Sequence, residues 1–386
     1  AKGLDAGMEN RKFFNRCAYR ALMALTAAQI CAPAFAQEAE DAAQTIATTT
    51  PGEIVYVFGR AIPLTGEAPS ASEGIVGFAD FETRPLLRPG ELVEVIPGMI
   101  ATQHSQGGKA NQYFLRGFNL DHGTDFAGSF DGVPLNLRSH AHMSGYLDIN
   151  FLIPEIVQSV EFRKGVHYAR NGDYSAAGSA SFTTYDTLRE NFVQADITTD
   201  GEYRGLIAGS TELSDGGAIL GAFQYDGGDG PFERPEELQK YVGFLKYTRP
   251  VGEATMRLSL MGYDNTWFAT DQVPLRAVEQ GIIGRFGTLD PDLGGDTHRY
   301  LATASMEWDN ARITAYAQDY ALNLYGNPTF FLDQVEGDQF VQIDDRKSIG
   351  ANGEWRHETR LGATDTTFRV GGGLQLPSRT PMSTSA

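Results

Sequence analysis

From about residue 186 onward the chain alternates between apolar and polar positions. Tyr300, Ala302, Ala304, Met306 and Trp308 form one row, and Arg299, Thr303, Ser305 and Glu307 form a mostly polar opposite row. Ala254, Met256, Leu258 and Leu260 alternate in the same way with Thr255, Arg257 and Ser259, and Phe368, Val370, Leu374 and Leu376 with Thr367, Arg369 and Gln375. Successive side chains of a strand point to opposite faces, so these segments are predicted strands with one apolar and one polar side. An apolar outside, a polar inside and aromatic residues near the strand ends describe a barrel wall in lipid; a soluble β-sandwich shares the alternation. Two segments depart from the rule. Lys240 to Tyr247 is apolar on both faces, and Ile313 to Tyr325 switches face partway. Asp309-Asn310 is a short turn, whereas Trp267 to Thr297 is a long excursion, the asymmetry of a barrel with short periplasmic turns and long outer loops. About nine or ten strands are predicted in residues 186–386.

Residues 73–185 have a different texture, that of a compact mixed α+β domain. Pro89 to Val95 is predicted as a short helix ended by Pro97-Gly98, because Pro interrupts the hydrogen-bond ladder and Gly accepts a left-handed φ. Tyr113 to Phe118 and Phe126 to Phe130 read as strands, the second turning at Asp131-Gly132. Ile153 to Arg163 reads as a helical turn running into a strand, followed by another strand over Gly178 to Thr184.

Residues 8–36 have the organisation of an export signal: Arg11, Lys12, Arg16 and Arg20, then the apolar run Ala21 to Leu25, then Ala34-Phe35-Ala36 as a cleavage site. Residues 1–7 precede the start expected at Met8. Both cysteines, Cys17 and Cys31, fall in the segment to be removed, which suits an oxidising envelope and excludes cysteine chemistry in the mature chain. Residues 37–72 read as a flexible arm, poor in groups to bury. Within it Glu53, Ile54, Val55, Tyr56 and Val57 favour a strand with no local partner, either offering a free edge to another protein's sheet or opening the next domain.

Composition then removes whole classes. The net charge of −18 over 386 residues opposes sequence-independent nucleic-acid binding, which needs clustered cations. After the signal there is no run of about 18 apolar residues to make a membrane helix. Enzyme motifs are incomplete: His357-Glu358 lacks the second His of a zinc protease, Gly107-Gly108-Lys109-Ala110 lacks the hydroxyl residue of a phosphate loop, and there is no nucleophile elbow. Asp290, Asp292 and Asp296 have calcium-loop spacing, but Leu301 stands where the bidentate Glu belongs, so they read as a solvated loop. No enzyme activity and no cofactor is expected.

Four segments, in order, resemble the plug motifs of TonB-dependent outer-membrane receptors: Leu92-Val93-Glu94-Val95-Ile96-Pro97-Gly98-Met99, Asn111 to Phe118, Asp131-Gly132-Val133-Pro134-Leu135-Asn136 and Val160-Glu161-Phe162-Arg163-Lys164-Gly165. Glu53 to Val57 resembles the TonB box that precedes such plugs. The resemblance implies an α+β plug domain at 73–185, followed by antiparallel transmembrane β-barrel strands at 186–386. The family's architecture has about 22 strands of ~10 residues, needing some ~220 positions before loops. Residues 187–386 are too few, so a truncated product is expected.

The resemblance also implies active uptake: an outer ligand binds plug and barrel loops, TonB pairs with Glu53 to Val57, and the plug moves. A surface-binding or ligand-sensing protein using the same plug is the alternative. TonB, outer-membrane lipid and a small ligand or metal chelate such as a siderophore are the implied partners, and the outer membrane is the implied location. Arg116 is expected as a plug–barrel latch to wall carboxylates, unless it is simply exposed. His104, His122, His140 and His142 are candidate ligand contacts. His140-Ala141-His142 puts two imidazoles on one side of an extended segment, a candidate metal site, with hydrogen-bonding loop histidines as the other reading.

Overall fold

The computed structural model describes residues 54–57, 60–63, 66–86, 88–104, 107–269, 272–327, 329–331, 337–379 and 383–385. The expected signal at 8–36, both cysteines and Glu53 lie outside the described residues.

The arm differs from the expectation. Strand β1 (Ile54–Val57) has a local partner after all, pairing antiparallel with β2 (Arg60–Pro63) as a hairpin. Both segments are short and β-prone, and pairing satisfies backbone groups that a lone strand would leave open.

Two small sheets follow. Strands β3 (Glu67–Ser70), β4 (Glu73–Gly77), β5 (Met99–Thr102), β6 (Gln112–Leu115), β7 (Phe118–Asn119), β8 (Phe126–Phe130), β9 (Val133–Pro134), β10 (Val157–Lys164) and β11 (Gly178–Thr184) divide between them. The larger has the order β3-β4-β10-β11-β8-β9, and its one parallel pair is β8 with β11. The smaller is β5-β6-β7. The strand read as Tyr113 to Phe118 is broken by a turn at Arg116-Gly117, where both residues have positive φ (53° and 79°). Pro89–Val95 is a 3-10 helix. Phe126, Phe130, Val160, Phe162 and Phe182 point into a single apolar core, as their alternate positions require.

The second region is a continuous antiparallel meander: β12 (Phe192–Ile197), β13 (Glu202–Glu212), β14 (Ala218–Gly228), β15 (Leu238–Val251), β16 (Ala254–Phe268), β17 (Gly294–Glu307), β18 (Ala311–Gly326), β19 (Phe340–Leu361) and β20 (Thr364–Arg379). A short β21 (Ser383–Ser385) also pairs with β19. Among the described residues β12 and β20 are the two edges and the sheet does not close. Connections 229–237, 269–293 and 327–339 gather at one end, the loop end; 252–253, 308–310 and 362–363 are tight and lie at the other, the turn end.

The outer face is apolar and open, with Leu258, Leu260, Ile313, Val370 and Leu374 exposed, while Ser259, Arg299, Ser305 and Thr314 on the inner face are buried. The two irregular segments have a physical cause. The inner face is not uniformly polar because it covers the first region and shares its core: Val242 and Phe244 of β15 pack inward, the Phe244 ring 6.0 Å from that of Phe130. On β18, Tyr320, Leu322 and Leu324 point inward into a second apolar cluster with Trp267 and Tyr146 near the loop end. Polarity there follows what each height of the wall faces.

Candidate functional site

The seam between the first region and the wall is where most inward polar side chains find partners. At the turn end, Asp186 accepts Lys246 Nζ at 2.9 Å and both Nε and Nη2 of Arg257, while Thr248 Oγ1 donates to it at 3.0 Å. Burial alone would raise the Asp186 carboxyl, but Lys246 and Arg257 outweigh it and hold it well below the usual range. Lys246 also donates to Thr184 Oγ1 (3.0 Å) and to the carbonyls of Thr184 and Tyr185. The Asp131-Gly132 turn docks beside them: Asp131 O accepts Arg312 Nη2 at 2.8 Å and Gly132 O accepts Asn352 Nδ2 at 3.0 Å. Gly132 has φ +85°, which an L side chain rarely adopts.

Higher up, Glu155 receives the two ends of the Arg204 guanidinium, both at 2.7 Å, and Arg204 also donates to Gln224. Such a planar two-bond contact fixes orientation as well as charge. These ion pairs correct the expectation for Arg116. That residue is exposed at a turn and donates to Ala71 O at 3.2 Å, touching no wall carboxylate among the described residues. The chemistry expected of the latch is present, with the cations on the wall and the carboxylates on or just after the inserted domain. The signal was inward parity: Arg204, Lys246 and Arg257 all fall on the inward row of their strands, which for Arg257 is also a polar row.

At the loop end the four histidines converge around Tyr146. The His140 ring stacks on it at 4.0 Å, the His122 and His142 rings are 4.7 Å apart, and His104 and His122 are 5.5 Å apart. His140 Nδ1 accepts the His142 N–H at 3.1 Å, which leaves Nε2 carrying the proton toward Tyr320 Oη at 3.1 Å. His142 Nδ1 faces Gln342 Oε1 at 2.7 Å, and His122 Nδ1 donates to Ala110 O at 2.7 Å. Burial pushes His122 down to about 3, helped by Lys109, and His140 down to about 2, helped by Arg346; His142 is lowered by the same burial and by Lys109. These rings are neutral at physiological pH.

That arrangement favours the hydrogen-bonding reading of His140 and His142 over the metal one. Both His140 nitrogens are engaged, and among the described residues no three His, Cys, Asp or Glu side chains gather as a metal site. His140 braces the wall. His142, half-buried, keeps Nε2 as an unprotonated acceptor by this network. His167 is exposed and apart from the others.

Two further expectations change. Asp290 is buried, not solvated: it accepts Asn327 Nδ2 (2.9 Å) and Gln339 Nε2 (3.0 Å), tying two loops together. Gly107-Gly108 serves close approach: a Cβ on Gly107 would lie 2.1 Å from Trp267 Nε1. Beside it, also at the loop end, a cleft between domain and wall is lined by Gln103, Asn150, Glu202, Lys240 and Asn265.

Residues 67–179 match the TonB-dependent Receptor Plug Domain. No curated protein sequence matches the chain. Among solved structures it is similar to the unliganded ferric citrate transporter FecA, with TM-score 0.62 and 13% identity, covering 84% of this chain and 50% of that one. It is also similar to the siderophore receptor PirA from Acinetobacter baumannii (TM-score 0.58, 16% identity, 79% and 48% covered). The pyoverdine receptor FpvA from Pseudomonas aeruginosa PAO1 gives TM-score 0.60 at 13% identity, with 86% and 52% covered. The chain thus spans about half the length of the solved receptors it matches. Residues 67–179 thus match a TonB-dependent receptor plug domain, and together with the nine-strand sheet that follows they share the plug-and-wall fold of the solved TonB-dependent receptors over about half of their length.

Proposed function

We propose that this chain is the plug-bearing part of an outer-membrane receptor for TonB-driven uptake of a scarce small ligand, of the metal-chelate class that includes siderophores. The single observation that carries the reading is the seam. A plug domain sits against a strand wall whose outer face is apolar and whose inner face holds it by ion pairs around a shared apolar core. The solved structures it resembles include a ferric citrate transporter and siderophore receptors, and they support the ligand class.

Ligand would arrive at the loop end and meet His142 and His122, with His104 beside them and His140 holding Tyr320 behind. The export signal at 8–36 would bring the chain to the outer membrane. TonB would engage Glu53, Ile54, Val55, Tyr56 and Val57, which requires β1 to exchange β2, or extend its other edge, for a strand of TonB. In cells expressing the complete receptor, Tyr56→Pro removes a backbone donor and should abolish uptake of a labelled ferric chelate and cross-linking to TonB, while leaving surface binding intact. Uptake that survives this change with TonB cross-linking lost would overturn the reading.

A further inference from the structure

Below the histidines, the seam contains two buried groups of opposite charge, close enough to feel one another, whose hydrogen-bonding atoms are not all used. Arg299 of β17 is completely buried, and its Nε, Nη1 and Nη2 all lack a hydrogen-bond partner among the described residues. Its guanidinium lies over the rings of Phe151 (5.1 Å) and Tyr320 (5.2 Å), which cover its faces and leave its N–H edge unused. Asp148 of the plug is equally buried; its Oδ1 accepts Asn150 N at 2.8 Å, and its Oδ2 has no partner. Asn265, through its Oδ1, is a third residue with an unpartnered buried atom here. The strand register brings two of them together: Arg299 lies directly across from Tyr263, and Asn265 is the next inward residue on that strand.

Some neighbouring groups are engaged: Tyr113 Oη donates to Leu147 O, Asn265 Nδ2 donates to Tyr263 Oη, Ala110 N donates to Tyr146 Oη, and Lys240 pairs with Asp226. A buried guanidinium whose N–H edge makes no hydrogen bond is costly even beside a carboxylate charge, and that edge is open to a further acceptor. The unmet demand is specific in kind: a fork of N–H donors on one side, and two acceptor oxygens on the other. Asn265, Asn150 and Lys240 also line the loop-end cleft, so the group is reached from that side.

We propose that Arg299, Asp148 and Asn265 form a transit subsite for a carboxylate that carries a neighbouring hydroxyl or ammonium. The carboxylate oxygens take the Arg299 fork, and the hydroxyl or ammonium donates to Asp148 Oδ2 and Asn265 Oδ1. This deepens the uptake reading and rests on it, since a ligand reaches the subsite from the loop end, the end to which uptake would deliver it. Opening requires the plug segment bearing Asp148 and Phe151 to draw away from β17.

The test is ligand-observed NMR titration of the purified full chain in detergent with glycolate, glycine and acetate. Glycolate and glycine should each bind at least about 5-fold more tightly than acetate, because an acceptor pair left unmet penalises the analogue without the donor. Arg299→Lys, which keeps the charge but not the fork, should weaken glycolate by about 10-fold. Asp148→Asn should erase the preference for glycine over acetate while retaining more of that for glycolate, which tells an ammonium source from a hydroxyl source. The comparisons among the three probes are ratios within one sample, which partial unfolding cannot mimic; for Arg299→Lys, an unchanged near-UV circular dichroism spectrum shows that the variant is folded. Equal binding of the three probes to the unchanged chain, or glycolate binding unaffected by Arg299→Lys, overturns the proposal. Loss of uptake in the Tyr56→Pro cells bears on TonB coupling alone and leaves these ratios untouched.

Discussion

The two ends of the plug–wall seam are built from opposite chemistry. At the turn end, Asp186, Lys246 and Arg257 form a charged cluster in which each group is paired. At the loop end, beside the buried Asp344–Arg346 pair that accepts Ala141 N, contact is made largely by imidazoles that burial keeps neutral, stacked on Tyr146 and bonded to Tyr320 and Gln342. A charged cluster resists removal of any one member, because the remaining charge is left buried and alone. Neutral contacts are individually weaker and carry no such penalty. The difference suits a stopper anchored at one end and yielding at the other, the end at which the proposed ligand would arrive.

The largest effect expected follows from the anchored end. Lys246→Met removes the cation but not the shape, leaving Asp186 short of one partner and Asp131 without its distant one, 3.9 Å away. We expect about 3–5 kcal/mol of lost stability in urea unfolding monitored by near-UV circular dichroism. If the loss is under about 1 kcal/mol, the charged cluster is not an anchor. Phe244→Ala probes the same end through packing alone. The side chain is buried against Phe130, and its removal should cost about 3–5 kcal/mol if the cavity stays open, less if the wall collapses onto it.

Acidification separates the two ends. His122 and His140 are held at about 3 and about 2 in the folded chain, below the ~6.5 of an unfolded imidazole. Between those limits the unfolded chain binds protons that the folded one refuses, so stability is complete above pH ~6.5 and falls as the pH drops. Asp186 behaves in the other window: its depressed carboxyl contributes fully above an unfolded value near ~3.9, and is lost only below that. At pH 5, therefore, only the loop end should be weakened, by about 2–4 kcal/mol for the two rings together. The check is the difference in unfolding free energy between pH 7 and pH 5, which His140→Gln should reduce by roughly half and Asp186→Asn should leave unchanged.

How far this was legible in the sequence depended on whether the cause was local. Strand alternation is local, and Leu258, Leu260, Val370 and Leu374 could be assigned to the outer face from period alone. The double-sided stretch at Val242 and Phe244 looked like an exception, since its reason is a contact with Phe130 more than a hundred positions away. Metal chemistry at His140 and His142 was plausible from spacing, yet spacing does not show that Tyr320 and Gln342 will claim ring nitrogens from two other strands. Arg116 was read as a strand residue because Tyr113 to Phe118 is uniformly apolar around it; the positive φ at Arg116 and Gly117 is stabilised by the Gly98 carbonyl, which accepts Arg116 N at 2.7 Å. Arg299 sat in plain view on a polar row. Its isolation is visible only once Asp148, Phe151 and Tyr320 surround it.

The smallest expected effect sharpens the contrast between exposed and buried guanidinium. Arg116→Ala deletes an exposed side chain whose described contact is one hydrogen bond to Ala71 O, and its positive φ is tolerated no better by Ala. Surface changes of this kind stay within about 0.5 kcal/mol. Arg204→Ala, by contrast, leaves Glu155 without its two-bond partner and Asp196 and Asp226 without a shared cation, all at a seam with little water to replace it. If Arg116 were the latch, the order would reverse and Arg116→Ala would loosen the plug, raising its susceptibility to protease. Equal protection of the native chain and Arg116→Ala, with faster cleavage of Arg204→Ala, places the restraint on the wall's own cations. It would also explain why a plug can present an exposed turn at Arg116-Gly117 without surrendering its hold.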